Sequence, residues 1–157
     1  MDLRSMQILA EMAGRPNQII IADEFFAYST GRLPALAAGA ATIASIQIQA
    51  DSDFLVEKMT YDCDVAGAAR TNDSSPVPNV SVSLLATGSG RQLFNTQVPI
   101  PTIFGRGVLP FIVPQRYLLP ASSVFQINLT SYEAVNSDIL TLVFAGRKLY
   151  WGFPPKQ

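Results

Sequence analysis

The 157-residue chain is long enough to form one domain whose core needs no disulfide or metal. Charged residues make up only 15% of it, its net charge is −1, and its 11 basic residues are scattered, which argues against a phosphate-neutralising surface. Histidine is absent, removing the commonest general base and metal ligand, and the single cysteine, Cys63, excludes an intrachain disulfide or a paired-cysteine metal site. In chain order, Leu3, Met6, Leu9 and Ala13 recur at helical spacing with Met12 beside them. Asp2 fits an N-cap and Gly14 a C-terminal stop, so a short helix is expected. Ile19 to Ile21 and Phe25 to Tyr28 have strand-like composition. Ser29 to Ala41, with Gly31, Pro34 and Gly39, reads as a loose connector or extended arm.

From Thr42 the pattern is strongly β. Ile46 and Ile48 alternate with Gln47 and Gln49, Asp51 to Asp53 turns, and Phe54 to Cys63 forms the next strand. Cys63 on such a strand reads as a small core hydrophobe rather than a nucleophile. A polar loop over Gly67 to Asn79 precedes Val80, Val82 and Leu84, which alternate with Ser81 and Ser83. The turn Thr87 to Gly90 leads into Gln92 to Val98 as a candidate hairpin. Prolines 99, 101, 110, 114 and 120 confine Val108 to Val113 to an edge or short strand, because proline cannot donate to a ladder. Ser123 to Leu129 alternates cleanly. Ile139 to Ala145 is a nearly continuous apolar run, expected as a central strand buried on both faces, and Gly146 is expected to bulge it before Arg147 to Tyr150.

About eight short strands at even spacing imply an all-β protein, an antiparallel β-sandwich. That number matches a jelly roll, preferred here to an immunoglobulin-like arrangement. The expected organisation is an N-terminal helix and arm over residues 1–41, a sandwich over 42–150 and an aromatic tail over 151–157.

No motif carries chemistry. Asp51 and Asp53 flank one end of a strand and Asp62 and Asp64 the other, roughly 30 Å apart at strand rise, so the two pairs cannot share an ion. Turn formation is the preferred reading of them. Nothing in the sequence brings two carboxyl groups into a glycosidase pair. Gly88-Ser89-Gly90-Arg91 lacks the Lys-Ser/Thr ending and following helix of a phosphate loop. Asn79-Val80-Ser81 and Asn128-Leu129-Thr130 match the glycosylation pattern but fall within expected strands. No cofactor or metal is expected, and the chain is read as a non-enzyme. The start, Met1 to Arg4, does not read as a signal peptide, and the apolar stretch Leu33 to Ala44 is too short to span a bilayer. A soluble protein that matures in a reducing compartment, with no membrane or direct nucleic-acid partner, is expected. The apolar ends are the candidate protein interface: Leu3, Met6, Leu9 and Met12 on the helix, and Trp151 and Phe153 on the tail.

The C-terminal half carries a resemblance. Phe111-Ile112-Val113-Pro114 is followed by Leu119-Pro120-Ala121-Ser122-Ser123 and Phe125-Gln126-Ile127-Asn128-Leu129, and then by the segment Leu140 to Tyr150 with Gly146-Arg147-Lys148. This order resembles tailed-bacteriophage capsid cement and decoration proteins with a jelly-roll fold, over about 45 residues and without a catalytic signature. The resemblance implies a homo-oligomer, dimer or trimer, bound to the major capsid protein on the outer surface of the virion, with terminal arms reaching neighbouring subunits. A carbohydrate- or receptor-binding β-sandwich of a phage tail or fibre is the alternative, with Tyr61, Tyr117 and Tyr132 as its candidate aromatics.

Overall fold

The computed structural model describes residues 7–8, 10–11, 14, 19–23, 25–67, 76–87, 89–134 and 137–152. Among these residues ten strands follow in chain order: β1 (Ile19–Ala22), β2 (Phe26–Ser29), β3 (Ala41–Gln47), β4 (Asp53–Val65), β5 (Val80–Ala86), β6 (Arg91–Gln92), β7 (Val98–Pro99), β8 (Phe111–Leu119), β9 (Val124–Ser131) and β10 (Asp138–Gly152). A single helical turn, α1 (Ile100–Ile103), sits between β7 and β8, and Gln7, Ile8, Ala10 and Glu11 are helical near the N-terminus.

The protein is all-β, a sandwich of two antiparallel sheets of five strands each. The first sheet runs β1-β10-β4-β8, with β2 also on β10; the second runs β3-β9-β5-β6, with β7 also on β5. β1 and β2 lie end to end along the same edge of β10. Between and beyond them, backbone bonds continue the pairing: Asp23 N–H to Lys148, Thr30 to Leu142, Leu33 to Leu140 and Leu36 to Asp138, at 2.7–3.0 Å. Most of the stretch expected as an arm is therefore an edge of the first sheet. Residues 19–22 and 26–29 pair antiparallel with β10, residues 30–36 continue beside it through these bonds, and Leu36 is buried in the core. Backbone pairing along β10, more than side-chain pattern, holds this segment. Its alanines and glycines gave little periodic signal.

The segment expected as a strand over Gln92 to Val98 is only two short pieces, β6 and β7, both on β5. Between them the chain bends, and Leu93 and Phe94 turn to pack on the core. β8 is an edge strand, as the prolines require, and Pro114 sits where its register on β4 jumps from Val56–Tyr117 to Lys58–Ile112. β10 is flanked on both sides, but its apolar run is not buried on both faces. Leu140, Leu142 and Phe144 point into the core, while Ile139, Val143 and Ala145 are half-buried on the outer face. Its ladder with β4 shifts between Ala145 and Gly146, with Glu57 as the extra residue on the β4 side. A Cβ on Gly146 would lie 1.8 Å from the Leu55 carbonyl oxygen, so only glycine allows this approach.

The core fills the space between the sheets. Phe144 stands edge-on to Phe104 and Phe125, with ring centroids at 5.5 and 5.2 Å, and Tyr28 packs edge-on to Phe54 at 4.8 Å. A second, smaller cluster lies on the outer face of the first sheet, where Ala10 covers Leu55 and Leu149, with Ala22, Leu118 and Trp151 at its rim.

Candidate functional site

Strand alternation builds the two outer faces of the sandwich differently. On the second sheet the inward positions are Ala44 and Ile46 of β3, Val80, Val82 and Leu84 of β5, and Phe125, Ile127 and Leu129 of β9, all buried. The outward positions fall into cross-strand rows: Ala41–Thr130–Ser81, Ile43–Asn128–Ser83 and Ser45–Gln126–Leu85, then Gln47–Val124. None of these eleven side chains is charged. Asn128 is central: it accepts from Gln126 Nε2 at 2.7 Å and donates from Nδ2 to Ser83 Oγ at 3.2 Å. Ile43, 67% exposed, is an apolar side chain on this polar ladder.

The outer face of the first sheet carries charge. Lys58, Asp62 and Asp64 project from β4, Arg32 pairs with Asp64 at 3.3 Å, and Arg147 pairs with Glu57 at 3.4 Å. Depletion of charge is a property of interface centres, and the second sheet meets it while the first does not.

At one end of the sandwich a set of polar groups is buried for structural work. The Lys148 ammonium, 5% exposed, points between the sheets, bonds Gln49 and Asp51, and stands 4.5 Å over the Phe26 ring. Burial pushes its pKa down, but the hydrogen bond and charge of Asp51 outweigh that and hold it above the ordinary lysine value. The same bond from Lys148 holds the Asp51 carboxyl below its usual range. Asp53 is buried, accepting from the Ala121 N–H at 2.7 Å and from Trp151 Nε1 at 2.6 Å. Tyr150 donates to Asp23 at 3.2 Å, and burial followed by that bond raises its phenol pKa. Each of these groups ties one turn or strand end to another.

Cys63 is fully buried, and burial, reinforced by Asp138, Asp64 and Asp62, pushes its thiol up to about 12. It stays protonated at neutral pH and is a core side chain. Asp51 and Asp53 lie at one end of β4, Asp62 and Asp64 at the other. Among the described residues no three His, Cys, Asp or Glu side chains come together to hold a metal ion, and no helix is long and apolar enough to cross a membrane.

Of the interface residues read from the sequence, Leu3, Met6, Leu9, Met12 and Phe153 lie outside the described residues. Trp151 is half-buried, with its indole on the Leu55–Leu149 cluster and its N–H on Asp53 of its own chain. Ala10, 3% exposed in that cluster, places the N-terminal helix on the same chain's first sheet. The three tyrosines do not share a face: Tyr61 is buried and accepts from Arg106 Nε, Tyr117 lines a partly open apolar pocket, and Tyr132 is exposed. That pocket, about 200 Å³, is lined by apolar side chains including Val56, Met59, Phe94, Phe111 and Phe144.

The uncharged face does not stand out in the sequence, although its signal is there. In β3, β5 and β9 the positions between core residues are mostly Ser, Gln, Asn and Thr, with no Lys, Arg, Asp or Glu. Only the strand pairing brings the three sets together. Compared with family models, curated proteins and solved structures, the chain matches none of them.

Proposed function

We propose that this chain is a virion structural protein of a tailed bacteriophage, a cement or decoration protein. In this role it binds the outside of the head and stabilises it by bridging subunits of the major capsid protein. Strand order is the observation that carries the reading. Counting β1 with β2 and β6 with β7 as single edge positions leaves eight positions, in the order one-eight-three-six in the first sheet and two-seven-four-five in the second. We infer from that order a jelly roll, an architecture used by viral capsid domains and also by lectins and cupins. The step from architecture to role is one of fold analogy. It is supported by the uncharged outer face of the second sheet, which suits a surface covered by another protein. The segments that resemble decoration proteins coincide with β8, β9 and β10.

An antiserum to the purified chain should label the heads of intact particles of the virus that encodes it, and the purified chain should rebind heads stripped of it. Label confined to tails or fibres, with binding on a glycan array that Asn128→Ala abolishes, would replace this reading with the carbohydrate- or receptor-binding one. Absence of the chain from washed particles would sink both.

A further inference from the structure

A sheet edge left open is a template for another strand, and folded proteins blunt their edges with proline, charge, bulges or short strands. Three of the four edges here carry such devices. β8 has Pro114 and a register jump, β6 and β7 are two-residue pieces with Pro99 in the second, and the β1–β2 edge is made of two strands of only four residues each. β3 has none. It runs seven residues in regular register on β9, and from Ala35 to Ala50 the sequence holds no charged residue and no proline.

The backbone pattern fixes which groups this edge offers. The Ala40 carbonyl accepts from Ser131, and the Ile48 N–H donates to Ser123, both at 2.9 Å. Even-numbered residues of β3 therefore face β9, and by antiparallel alternation Ala41, Ile43, Ser45 and Gln47 point their N–H and C=O groups away from it. Among the described residues no strand pairs with that side.

We propose that this edge pairs with the same edge of a second copy of this chain, about a two-fold axis at Ala44. The pairing is self-complementary. The axis sets Ala41 opposite Gln47 of the second copy and Ile43 opposite its Ser45, so that every outward N–H meets a carbonyl. Side chains keep their faces, which places the exposed Ile43 on a cross-strand neighbour. No charge is buried and no like charges meet, because the segment has none. The two second sheets become one continuous sheet with an uncharged outer face. This inference deepens the assembly part of the proposed function and rests on that reading only for its purpose; the pairing is a property of the chain in solution.

Sedimentation velocity of the full chain across a micromolar to millimolar series is the test. A concentration-dependent dimer is expected. Ile43→Lys and Ser45→Lys alter only outward, exposed side chains and should shift the species to monomer with the circular dichroism of the parent. Thr141→Lys, on the outer face of the first sheet, should leave the dimer intact. Ser45→Pro removes one outward N–H and should act like the lysine variants where it folds. A chain that stays monomeric at the highest concentration overturns the proposal, as does a dimer indifferent to both lysine substitutions. A dimer lost in Ser45→Lys from a chain that washed particles do not contain would uphold the edge pairing and sink the capsid role.

Discussion

Asp138 opens β10, 3% exposed, with its backbone bonded both ways to Leu36 and its Oδ2 buried, with no hydrogen-bond partner among the described residues. Burial, followed by the nearby charge of Glu133, raises its carboxyl above the usual range. The folded chain thus binds this proton more tightly than the unfolded chain. Stability falls as pH rises from the ordinary aspartate pKa through the folded one, and the cost persists at neutral pH. Asp138→Asn should therefore raise the melting temperature near neutrality, and the gap to the parent should close in acid. Paired thermal melts across that range check this, and a gap that widens in acid would refute it. Burial of this aspartate was not legible in the sequence, because Asp138 follows Asn136 and Ser137 in a segment of turn-forming composition. Cys63 was legible, because it falls in step with Met59 and Tyr61 on the inward side of β4.

At the scale of elements, β10 shows where patterning succeeds and where it misleads. Gly146 was readable as a bulge because it interrupts an apolar run. Its structural cause, the Leu55 carbonyl oxygen 1.8 Å from where a Cβ would stand, belongs to the neighbouring strand. Gly146→Ala should cost at least about 2 kcal/mol by forcing the two strands apart, seen as a melting temperature lower by at least about 5 °C. The expectation of burial on both faces erred because, among the described residues, no second layer covers Ile139, Val143 and Ala145, which stay half-buried. Only the other end of β10, at Leu149, lies under the N-terminal helix. Deleting residues 1–18 should uncover Leu55, Leu149 and Trp151, increase binding of an apolar dye and shift tryptophan emission to the red. Emission unchanged from the parent would count against docking of that helix on its own sheet. Single-sequence periodicity detects a face that avoids water but cannot distinguish what covers it.

For the molecule as a whole, one apolar layer joins both sheets, and the chain's single tryptophan sits at the rim of the smaller cluster, tied to Asp53 of β4. Thermal unfolding should accordingly be one cooperative transition, with tryptophan emission and far-ultraviolet circular dichroism moving together. Separated midpoints would mean that the end bearing Ala10 and Trp151 melts on its own. Alternation along the chain is enough to show that the protein is all-β and that β3, β4, β5 and β9 each carry an inward apolar face. Those properties follow from alternation within a strand, a local matter of side chains two residues apart. Only strand pairing shows that residues 19–23 and 26–36 extend the first sheet, that Lys148, Asp53 and Asp138 are buried, that the outward positions of β3, β5 and β9 form one uncharged face, and that β3 presents an unblunted edge. Each of these depends on pairing between segments distant in the chain, through backbone groups that every residue carries alike. The side-chain pattern therefore marks the uncharged positions strand by strand, but not the pairing that joins them into a face, a buried site or an edge.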